Sequence, residues 1–467
     1  MDEYASAIDT AAAIRTKEVS PLEVLDACLA RIDERNPALN ALIWRNDDQA
    51  RAEARALGDR IAAGVDDLAP FAGVPLPIKD LVPVAGQPNT NGSFGTDEEA
   101  DAGTELAPQA YIDAGFILCG RTNTPEFGSI SVTENLRYGA TRNPWNPNVT
   151  PGGSSGGAGA AVASGMFPAA YASDGGGSIR IPASCCGLVG HKPSRGRVPD
   201  LYPHWSGMST EGVLTRTVAD TAAILDELSR PDRLAWWSPP VQDRPFADEV
   251  GADPGRLRIA VNTVSALGID VAPEPLAAVE RAATLLESLG HDVVRLGADL
   301  FDPSGLGAYL NLMNAGMAAY PGLDPERIEP HNRAALDAAR ALDSLDYARS
   351  LAELQVQSRS ILARFDEEFD LLVTPTMAIE PPPVGLLAAV HAQPEFPITE
   401  IVSMAAFTAI FNITGQPAVS LPLHVAASGL PVGVQIVAGA WCDAQLIQVA
   451  SQLEALAPWA DRVPVVG

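Results

Sequence analysis

The run of small residues between Pro151 and Gly165 constrains the fold more than any other stretch of the chain. Glycine, serine and alanine dominate this run, so almost no side-chain bulk separates its backbone from neighbouring elements. Its second half, Gly156 to Met166, is a predicted helix that must pack at close range. Around it, residues 72–230 alternate short apolar strands with helices, which is typical of an α/β fold.

A second glycine-rich segment, SDGGGSIRIPAS, follows closely and places Ser178 directly behind Gly175, Gly176 and Gly177. Consecutive glycines can aim several backbone N–H groups at one point, which is what an oxyanion hole requires. A serine hydroxyl at the end of such a loop is well placed to act as a nucleophile, provided that a base accepts its proton. Ser178 is therefore the candidate nucleophile.

The candidate base is a lysine. All six histidines lie in contexts that indicate surface or loop positions, and His191 has no carboxylate beside it in the sequence. Of the 31 basic residues only Lys17, Lys79 and Lys192 are lysine, and Lys79 lies in the apolar run GVPLPIKDLVPV. Burial lowers the pKa of a lysine and so supplies a neutral amine, whereas an arginine stays protonated.

Composition argues against several classes of protein. The formal net charge of −27 argues against nucleic acid or an anionic membrane as a partner, because phosphate binding needs a basic face. The five cysteines show no C-x-x-C spacing, so we expect reduced thiols and no metal site. The absence of a signal segment and of a long apolar run predicts a cytoplasmic protein. We expect a small-molecule substrate, no cofactor, and a homodimer as the candidate assembly.

A series of ordered motifs resembles the amidase-signature enzymes over most of the chain. The motifs are GVPLPIKD (73–80), RTNTPEFG (121–128), GATRNPWN (139–146), PGGSSGG (151–157), SDGGGSIRIPAS (173–184), GLVGHKPSRGR (187–197), GVLTRTVADTAAILDEL (212–228), FNITGQPAVSLPL (411–423) and GLPVGVQIVAG (429–439). The nearest likeness is to bacterial amidases that act on aminohexanoate oligomers. The resemblance implies a serine hydrolase that cleaves carbon–nitrogen bonds of linear amides, with anilides, carbamates and esters left open.

For individual residues the resemblance implies a Ser–Ser–Lys triad. Ser178 forms the acyl-enzyme, Ser154 follows a cis peptide bond and bridges the two ends, and Lys79 draws the proton through Ser154. The implied oxyanion hole consists of the N–H groups of Gly175, Gly176, Gly177 and Ser178. The positions that match residues bracing this loop are Ser155, Asp174 and Arg180.

The predicted fold is a single large α/β domain with a central mixed β-sheet flanked by helices and room for a small subdomain. We divide it into an N-terminal helical segment (1–65), the signature core (66–230), a variable substrate-side subdomain (231–340) and the C-terminal part of the core (341–467). Near the N-terminus, residues 20–23 form a capping box, and Asn36-Pro37 is expected to end the helix that starts there.

The substrate pockets are expected to come from segments 125–140, 200–212, 300–340 and 376–405. Their apolar candidates, which core packing explains equally well, are Trp205, Met208, Leu310, Met313 and Tyr320. The chain departs from the family pattern at His191, where most relatives carry an apolar or aromatic residue. It also departs at Gly175, which we expect to leave room near the acyl group.

Other interpretations of the motifs are weaker. Residues 152–156 match the G-x-S-x-G elbow of α/β-hydrolases, but the acid and histidine that should follow are not visible. Gly157-Ala-Gly159 matches part of a dinucleotide fingerprint and lacks its third glycine. Asp80 beside Lys79 indicates a salt bridge, and the acidic residues 366–368 indicate a solvated helix face, rather than a metal site.

Two functional alternatives remain open. The same signature occurs in the glutaminase subunit of complexes that form Gln-tRNA or Asn-tRNA, in which a partner subunit would hold the RNA. The other alternative is a non-catalytic member that only binds or scaffolds. Intact Lys79, Ser154 and Ser178 argue against this second alternative.

Overall fold

The computed structural model describes residues 2–201, 204–237, 239–297, 303–320, 322–395 and 397–465. The strands of this part are β1 (Leu42–Trp44), β2 (Pro75–Lys79), β3 (Ile117–Thr122), β4 (Glu134–Asn135), β5 (Gly139–Ala140), β6 (Ala169–Asp174), β7 (Val189–Lys192), β8 (Thr210–Thr215), β9 (Arg258–Val261), β10 (Asp292–Arg295), β11 (Leu371–Pro375), β12 (Ala418–Val425) and β13 (Pro431–Ala438). The α-helices are α1 (Ala7–Arg15), α2 (Pro21–Leu39), α3 (Asp47–Ala62), α4 (Leu106–Asp113), α5 (Gly156–Ala163), α6 (Arg180–Cys186), α7 (Val218–Leu228), α8 (Pro273–Ser288), α9 (Leu306–Ala318), α10 (Pro330–Ala341), α11 (Ser344–Glu367), α12 (Leu387–Ala392), α13 (Thr399–Ala405), α14 (Ile410–Thr414) and α15 (Asp443–Leu456).

Eight strands form one mixed sheet in the order β10-β9-β11-β13-β12-β7-β8-β6. The three strands at one end pair in parallel, and the remaining pairs are antiparallel. Helix α8 connects β9 to β10, which confirms the parallel pairing that a strand–helix–strand order predicts. The predicted α/β class with a central mixed sheet is therefore confirmed. Among the described residues, no helix has both the length and the apolarity to cross a membrane.

Strands β9 and β10 come from the region 231–340 and pair within the same sheet as the C-terminal strands. This region therefore contributes directly to the central sheet as well as carrying helices such as α9. The division of the chain at residues 65, 230 and 340 stays a prediction.

A separate three-stranded sheet, in the order β1-β3-β2, carries the predicted base. Every residue of β2 is buried, and Lys79 is its last residue. Strand β2 packs against β6, the edge strand of the large sheet. The end of β2 is thus held beside the end of β6, where the loop with the predicted nucleophile begins.

Close backbone packing explains the run of small residues. Helix α5 is buried along its whole length, and it ends at Ala163, slightly before the predicted Met166. A Cβ atom on Gly156 would lie 2.2 Å from the Thr133 hydroxyl oxygen, and one on Gly157 would lie 2.5 Å from the backbone nitrogen of Asn123. Side chains at these positions would push the neighbouring backbone away, so the predicted close approach is confirmed.

One helix end differs from the prediction. The capping box at the start of α2 is present, with reciprocal hydrogen bonds between Ser20 and Glu23. The helix does not end at Asn36-Pro37 but continues to Leu39, and Asn40 caps it in the left-handed conformation. Proline in the last turn removes only one backbone N–H donor. The Asn36 side chain accepts hydrogen bonds from two backbone N–H groups beyond the helix end. These contacts allow the turn to continue past the proline.

Candidate active site

Lys79 is completely buried and points at hydroxyl groups. Its Nζ donates hydrogen bonds to Ser154 Oγ at 2.7 Å and to Ser173 Oγ at 3.1 Å. Burial lowers the pKa of Lys79 to about 7, and the negative charges of Glu211 and Asp174 raise it in part. A large fraction of this amine is therefore neutral near neutral pH.

The predicted salt bridge between Lys79 and Asp80 is wrong. The Asp80 carboxylate accepts backbone N–H groups instead, from Thr90 at 2.9 Å and from Gly92 at 3.0 Å. Adjacent side chains at a strand end point to opposite sides, so the two groups cannot face each other. Among the described residues, Lys79 Nζ has hydroxyl partners and no carboxylate within ion-pair distance.

Ser154 and Ser178 line one cavity of about 30 Å³, together with Ser173. Ser154 follows the cis peptide bond that the resemblance implied, between Gly153 and Ser154. Ser178 lies in the loop between β6 and α6, and only 8% of its surface is exposed. The Ser155 amide donates to the Ser178 carbonyl at 3.3 Å, which ties the two serine loops together.

The three glycines before Ser178 have different roles. The Gly177 amide donates to Asp174 Oδ1 at 2.7 Å, so it is already occupied and does not belong to the predicted oxyanion hole. Within the described residues, the amides of Gly175, Gly176 and Ser178 have no protein acceptor. The Gly176 carbonyl accepts the Thr408 hydroxyl at 2.6 Å, which fixes the direction of this peptide. Three of the four backbone N–H donors that the resemblance implied for the oxyanion hole therefore remain available.

A buried ion pair holds this loop in shape. Arg180 binds Asp174 through two hydrogen bonds, Nη2 to Oδ1 at 2.8 Å and Nε to Oδ2 at 2.9 Å. Burial acts against the carboxylate charge, yet the Arg180 guanidinium holds the pKa of Asp174 well below its usual range. Arg180 also donates to Gln435 and Asn412. With a further bond to the Thr408 carbonyl, all N–H donors of the Arg180 side chain are paired, and this network holds the loop in one conformation.

Ser155, the third residue predicted to brace the nucleophile loop, lies in the loop that carries Ser154. The Ser155 hydroxyl donates to the Ser173 carbonyl at 3.2 Å, on strand β6. Ser173 also accepts from Lys79, so this strand connects the base to the loop that carries Ser154. The contacts agree with a supporting function for Ser155, which stays a prediction.

Comparison with known proteins identifies the family. Residues 23–447 match the Amidase family. The chain belongs to this family. It is 36% identical to a 6-aminohexanoate-cyclic-dimer hydrolase of Pseudomonas sp. (strain NK87), over 99% of this chain and 97% of that protein. Its fold matches the structure of a 6-aminohexanoate cyclic dimer hydrolase complexed with substrate, with a TM-score of 0.93, 35% identity and full coverage of both chains. A bacterial aryl acylamidase matches with a TM-score of 0.87 and 28% identity, over 98% of this chain and 97% of that one.

The amidase cavity is narrow because aromatic side chains close it. The room expected beside Gly175 is filled by the Trp205 indole, whose Cε3 atom would lie 2.5 Å from a Cβ on that glycine. Trp205 and Tyr320 line the cavity, as two of the five apolar candidates were expected to do. Met208 and Met313 instead belong to a small apolar cluster beside it, and Leu310 is 43% exposed.

Several histidines differ from the prediction of surface or loop positions, since His191, His291 and His331 are buried and His204 lines the cavity. His191 is buried in β7, where its Nε2 lies 3.3 Å from Asp443 Oδ1, so it is neither exposed nor without a carboxylate. Ser194 and Arg197 bind the same Asp443, which makes this a structural cluster. His204 lines the amidase cavity, and burial lowers its pKa to about 4. The motifs gave no signal for these positions, because they depend on tertiary contacts.

Glu211 is the main site residue that the motifs did not reveal. It lies on β8 directly opposite Ser173 of β6, lines the cavity, and accepts the Tyr171 hydroxyl. Burial raises the pKa of Glu211, and the charge of Lys79 acts in the opposite direction. Glu211 is the charged residue of the strand TEGVLT, which was the signal in the sequence, but only the register between β6 and β8 brings it near Lys79.

Proposed function

We propose that this amidase hydrolyses amides of small molecules through an acyl-enzyme on Ser178. The observation that carries the proposal is the 2.7 Å hydrogen bond between Lys79 Nζ and Ser154 Oγ, in a cavity that Ser178 also lines. A buried amine with hydroxyl partners can accept a proton, whereas a lysine paired with a carboxylate is held in its charged form.

The reaction begins when Ser178 Oγ attacks the carbonyl carbon of the substrate. Its proton passes to Ser154 Oγ, which in turn gives its own proton to the neutral Lys79. The tetrahedral intermediate then expels the nitrogen, which takes a proton back through the same relay. Water enters, loses a proton along this path, and releases the acid from Ser178.

Negative charge on the carbonyl oxygen needs donors that are already in place. The amides of Gly175, Gly176 and Ser178 are the proposed donors, and Asp174 holds the loop through the Gly177 amide. Asp174 and Arg180 therefore position the loop without touching the substrate. Ser155 has the matching function between Ser173 and the loop of Ser154.

The cavity and the relatives support the choice of substrates to test. Trp205, Tyr320 and Phe127 line the cavity and favour an apolar acyl group. The likeness to a hydrolase named for a cyclic dimer supports testing a cyclic amide, while a linear amide stays the prediction from the motifs. The useful panel therefore contains 6-aminohexanoate cyclic dimer, linear aliphatic amides, anilides, carbamates and esters.

A fluorophosphonate probe and the Ser178→Ala variant test the proposal together. We expect a single label on Ser178, located by mass spectrometry, and a loss of turnover of at least about 10⁴-fold in the variant. Ser209, which lines the same cavity, provides the control variant Ser209→Ala, which should keep the label. A label on another residue would rule out the acyl-enzyme on Ser178.

The open alternatives give different outcomes in the same set of assays. Ammonia release from glutamine, together with co-purification of a second chain, would indicate the glutaminase subunit. An intact fold with no labelling at all would indicate a non-catalytic family member.

A further inference from the structure

A second cluster of reactive side chains lies outside the cavity. Glu329 caps the N-terminus of α10, His331 lies in the first turn of that helix, and His391 lies near the end of α12. One ligand atom from each residue lies within 4.8 Å of the other two. Glu329 Oε2 is 3.1 Å from His391 Nε2 and 3.7 Å from His331 Nδ1. No spacing in the sequence predicted this group, because tertiary packing brings α12 to α10.

The Ser129 hydroxyl contacts the His331 ring. It lies 3.1 Å from His331 Nε2 and 3.1 Å from the Glu126 carbonyl oxygen. When the hydroxyl donates to this carbonyl it accepts from Nε2, and the neutral ring then carries its proton on Nε2 and a lone pair on Nδ1.

The second ring nitrogen of His331, Nδ1, faces Glu329. His331 is only 9% exposed, and its Nδ1 is buried without a hydrogen bond among the described residues. The nearest charged atom is a carboxylate oxygen of Glu329, which also carries lone pairs. With the ring proton on Nε2, the Nδ1 lone pair and the Glu329 carboxylate are two electron-rich atoms that face each other in a buried place, and a cation between them stabilises this arrangement.

We propose that Glu329, His331 and His391 bind one divalent transition-metal ion of the Zn²⁺ type. Two imidazole nitrogens and one carboxylate oxygen form a common donor set for such ions, and water completes the coordination. Ligand atoms around a tetrahedral zinc ion are about 3.4 Å apart, between the two distances measured here. Ser129 fixes the His331 ring from behind, and the Leu136 amide binds the other oxygen of Glu329 at 2.7 Å.

Binding requires one adjustment of the cluster. The two imidazole rings stack with their centroids 5.5 Å apart and their planes inclined by 25°, so one ring must rotate to direct its nitrogen at the ion. His391 is the ring that turns, because 17% of its side chain is exposed and the other two side chains are more deeply buried. Its Nε2 proton leaves to solvent when the ion binds.

The site is structural, because it joins elements behind the cavity. The ion links α10 to α12, and the Leu136 contact connects it to the β4–β5 hairpin. Ser129, which holds the His331 ring, follows Gly128, and a Cβ on Gly128 would lie 3.1 Å from Ser154 Oγ. Metal binding therefore stabilises the segment that supports the Ser154 loop, without contact to the reacting atoms.

Calorimetric titration of chelator-treated protein with Zn²⁺ tests the proposal. We expect one ion per chain and a higher melting temperature in the presence of Zn²⁺. His391→Ala and Glu329→Gln should weaken Zn²⁺ binding by at least about 100-fold, and Ser129→Ala by about 10–100-fold. Co²⁺ in the same site should give the visible absorption of a tetrahedral complex in the wild type and not in His391→Ala.

A second histidine–glutamate pair supplies the matched control. His424 Nε2 lies 2.7 Å from Glu274 Oε2, and this pair is not part of a three-ligand cluster in the described residues. His424→Ala should bind Zn²⁺ as tightly as the wild type. The proposal is overturned if the wild type binds no ion, if His391→Ala binds normally, or if His424→Ala loses the ion. Circular dichroism checks each fold, and His391→Ala decides the question if Glu329→Gln fails to fold.

Discussion

Lys79 and Lys192 are two buried lysines with different surroundings. Each has a pKa that burial lowers to about 7. Lys79 donates to the hydroxyls of Ser154 and Ser173, whereas Lys192 donates to the Pro193 carbonyl at 2.9 Å. A hydroxyl can pass a proton onward because it both donates and accepts, and a carbonyl can only accept.

The comparison separates a perturbed pKa from a catalytic function. Burial is the main cause of the lowered pKa of both amines, and the charge of Arg180 lowers the pKa of Lys192 further, so the pKa does not distinguish them. The two lysines differ in their position relative to the cavity. The hydroxyl partners of Lys79 line the cavity, whereas Lys192 donates to a backbone carbonyl at the end of a strand. A search for perturbed groups would find both lysines, and only the hydrogen-bonded partners indicate which one is a base.

The largest expected effect comes from replacing the two lysines. Lys79→Arg keeps the positive charge but cannot release its proton, so we expect turnover to fall by about 10⁴-fold, as in Lys79→Met. Lys192→Met should keep turnover within about tenfold, because no step passes through this amine. Steady-state kinetics on purified, folded variants measure both. Near wild-type turnover in Lys79→Arg would contradict the assigned difference between the two lysines and exclude Lys79 as the base.

The next effect separates the two hydroxyl partners of Lys79. Ser154→Ala should lower turnover by about 10²–10⁴-fold, because it interrupts the proton relay to Ser178. Ser173→Ala removes the longer hydrogen bond and should cost less than about tenfold. The rates of acylation by an amide and by an activated ester provide the measurement, and the ester should be affected less. Equal losses in the two variants would contradict a relay through Ser154 alone.

A smaller effect is expected in the pH profile. The wild-type kcat/KM should rise with pH through about 7 and then level off, as Lys79 loses its proton. The charged groups that raise the pKa of Lys79 are Glu211 and Asp174. Glu211→Gln removes one of these charges, so the pKa should fall and the rise should move to lower pH. Tyr171→Phe removes a hydrogen bond that favours the charged form of Glu211, so it should move the rise in the same direction by a smaller amount. An unchanged midpoint in Glu211→Gln would show that Glu211 does not act on Lys79.

The smallest effect concerns stability, where the two lysines should behave alike. The folded-state pKa of each is below the unfolded value of about 10.4, so the unfolded chain binds more protons between about pH 7 and 10. Stability therefore rises with pH in this window. Lys79→Met and Lys192→Met should each raise the free energy of unfolding at pH 7 by about 1 kcal/mol or more. The gain should shrink toward pH 10, as measured by denaturant titration at several pH values.

The sequence predicted the features of the fold that depend only on neighbouring residues. The helix after the glycine–serine run and the capping box at Ser20 depend on neighbouring residues, and both are present. The apolar run around Lys79 indicated burial of this lysine, and its strand is buried throughout. The structure also brings Lys79 to Ser154, although the functions of these residues stay a prediction.

The remaining features depend on which surfaces meet in the folded chain. His191 and Asp443 lie 252 positions apart, and no local pattern relates them. The side to which Asp80 points is determined by the strand end, and the Gly177 amide is occupied because Asp174 turns back toward it. Each of these contacts requires tertiary geometry that a single sequence does not contain.

The location of Lys79 on a small sheet of its own has an evolutionary consequence. The nucleophile loop extends from the eight-stranded sheet, while the base belongs to the three-stranded one. Neither sheet could be exchanged with that of a relative unless the contact between β2 and β6 were inherited with it. Recombination between family members is therefore expected to preserve residues 75–174 as one block. Substrate preference is then free to diverge through the segments that close the cavity, such as the one that carries Trp205.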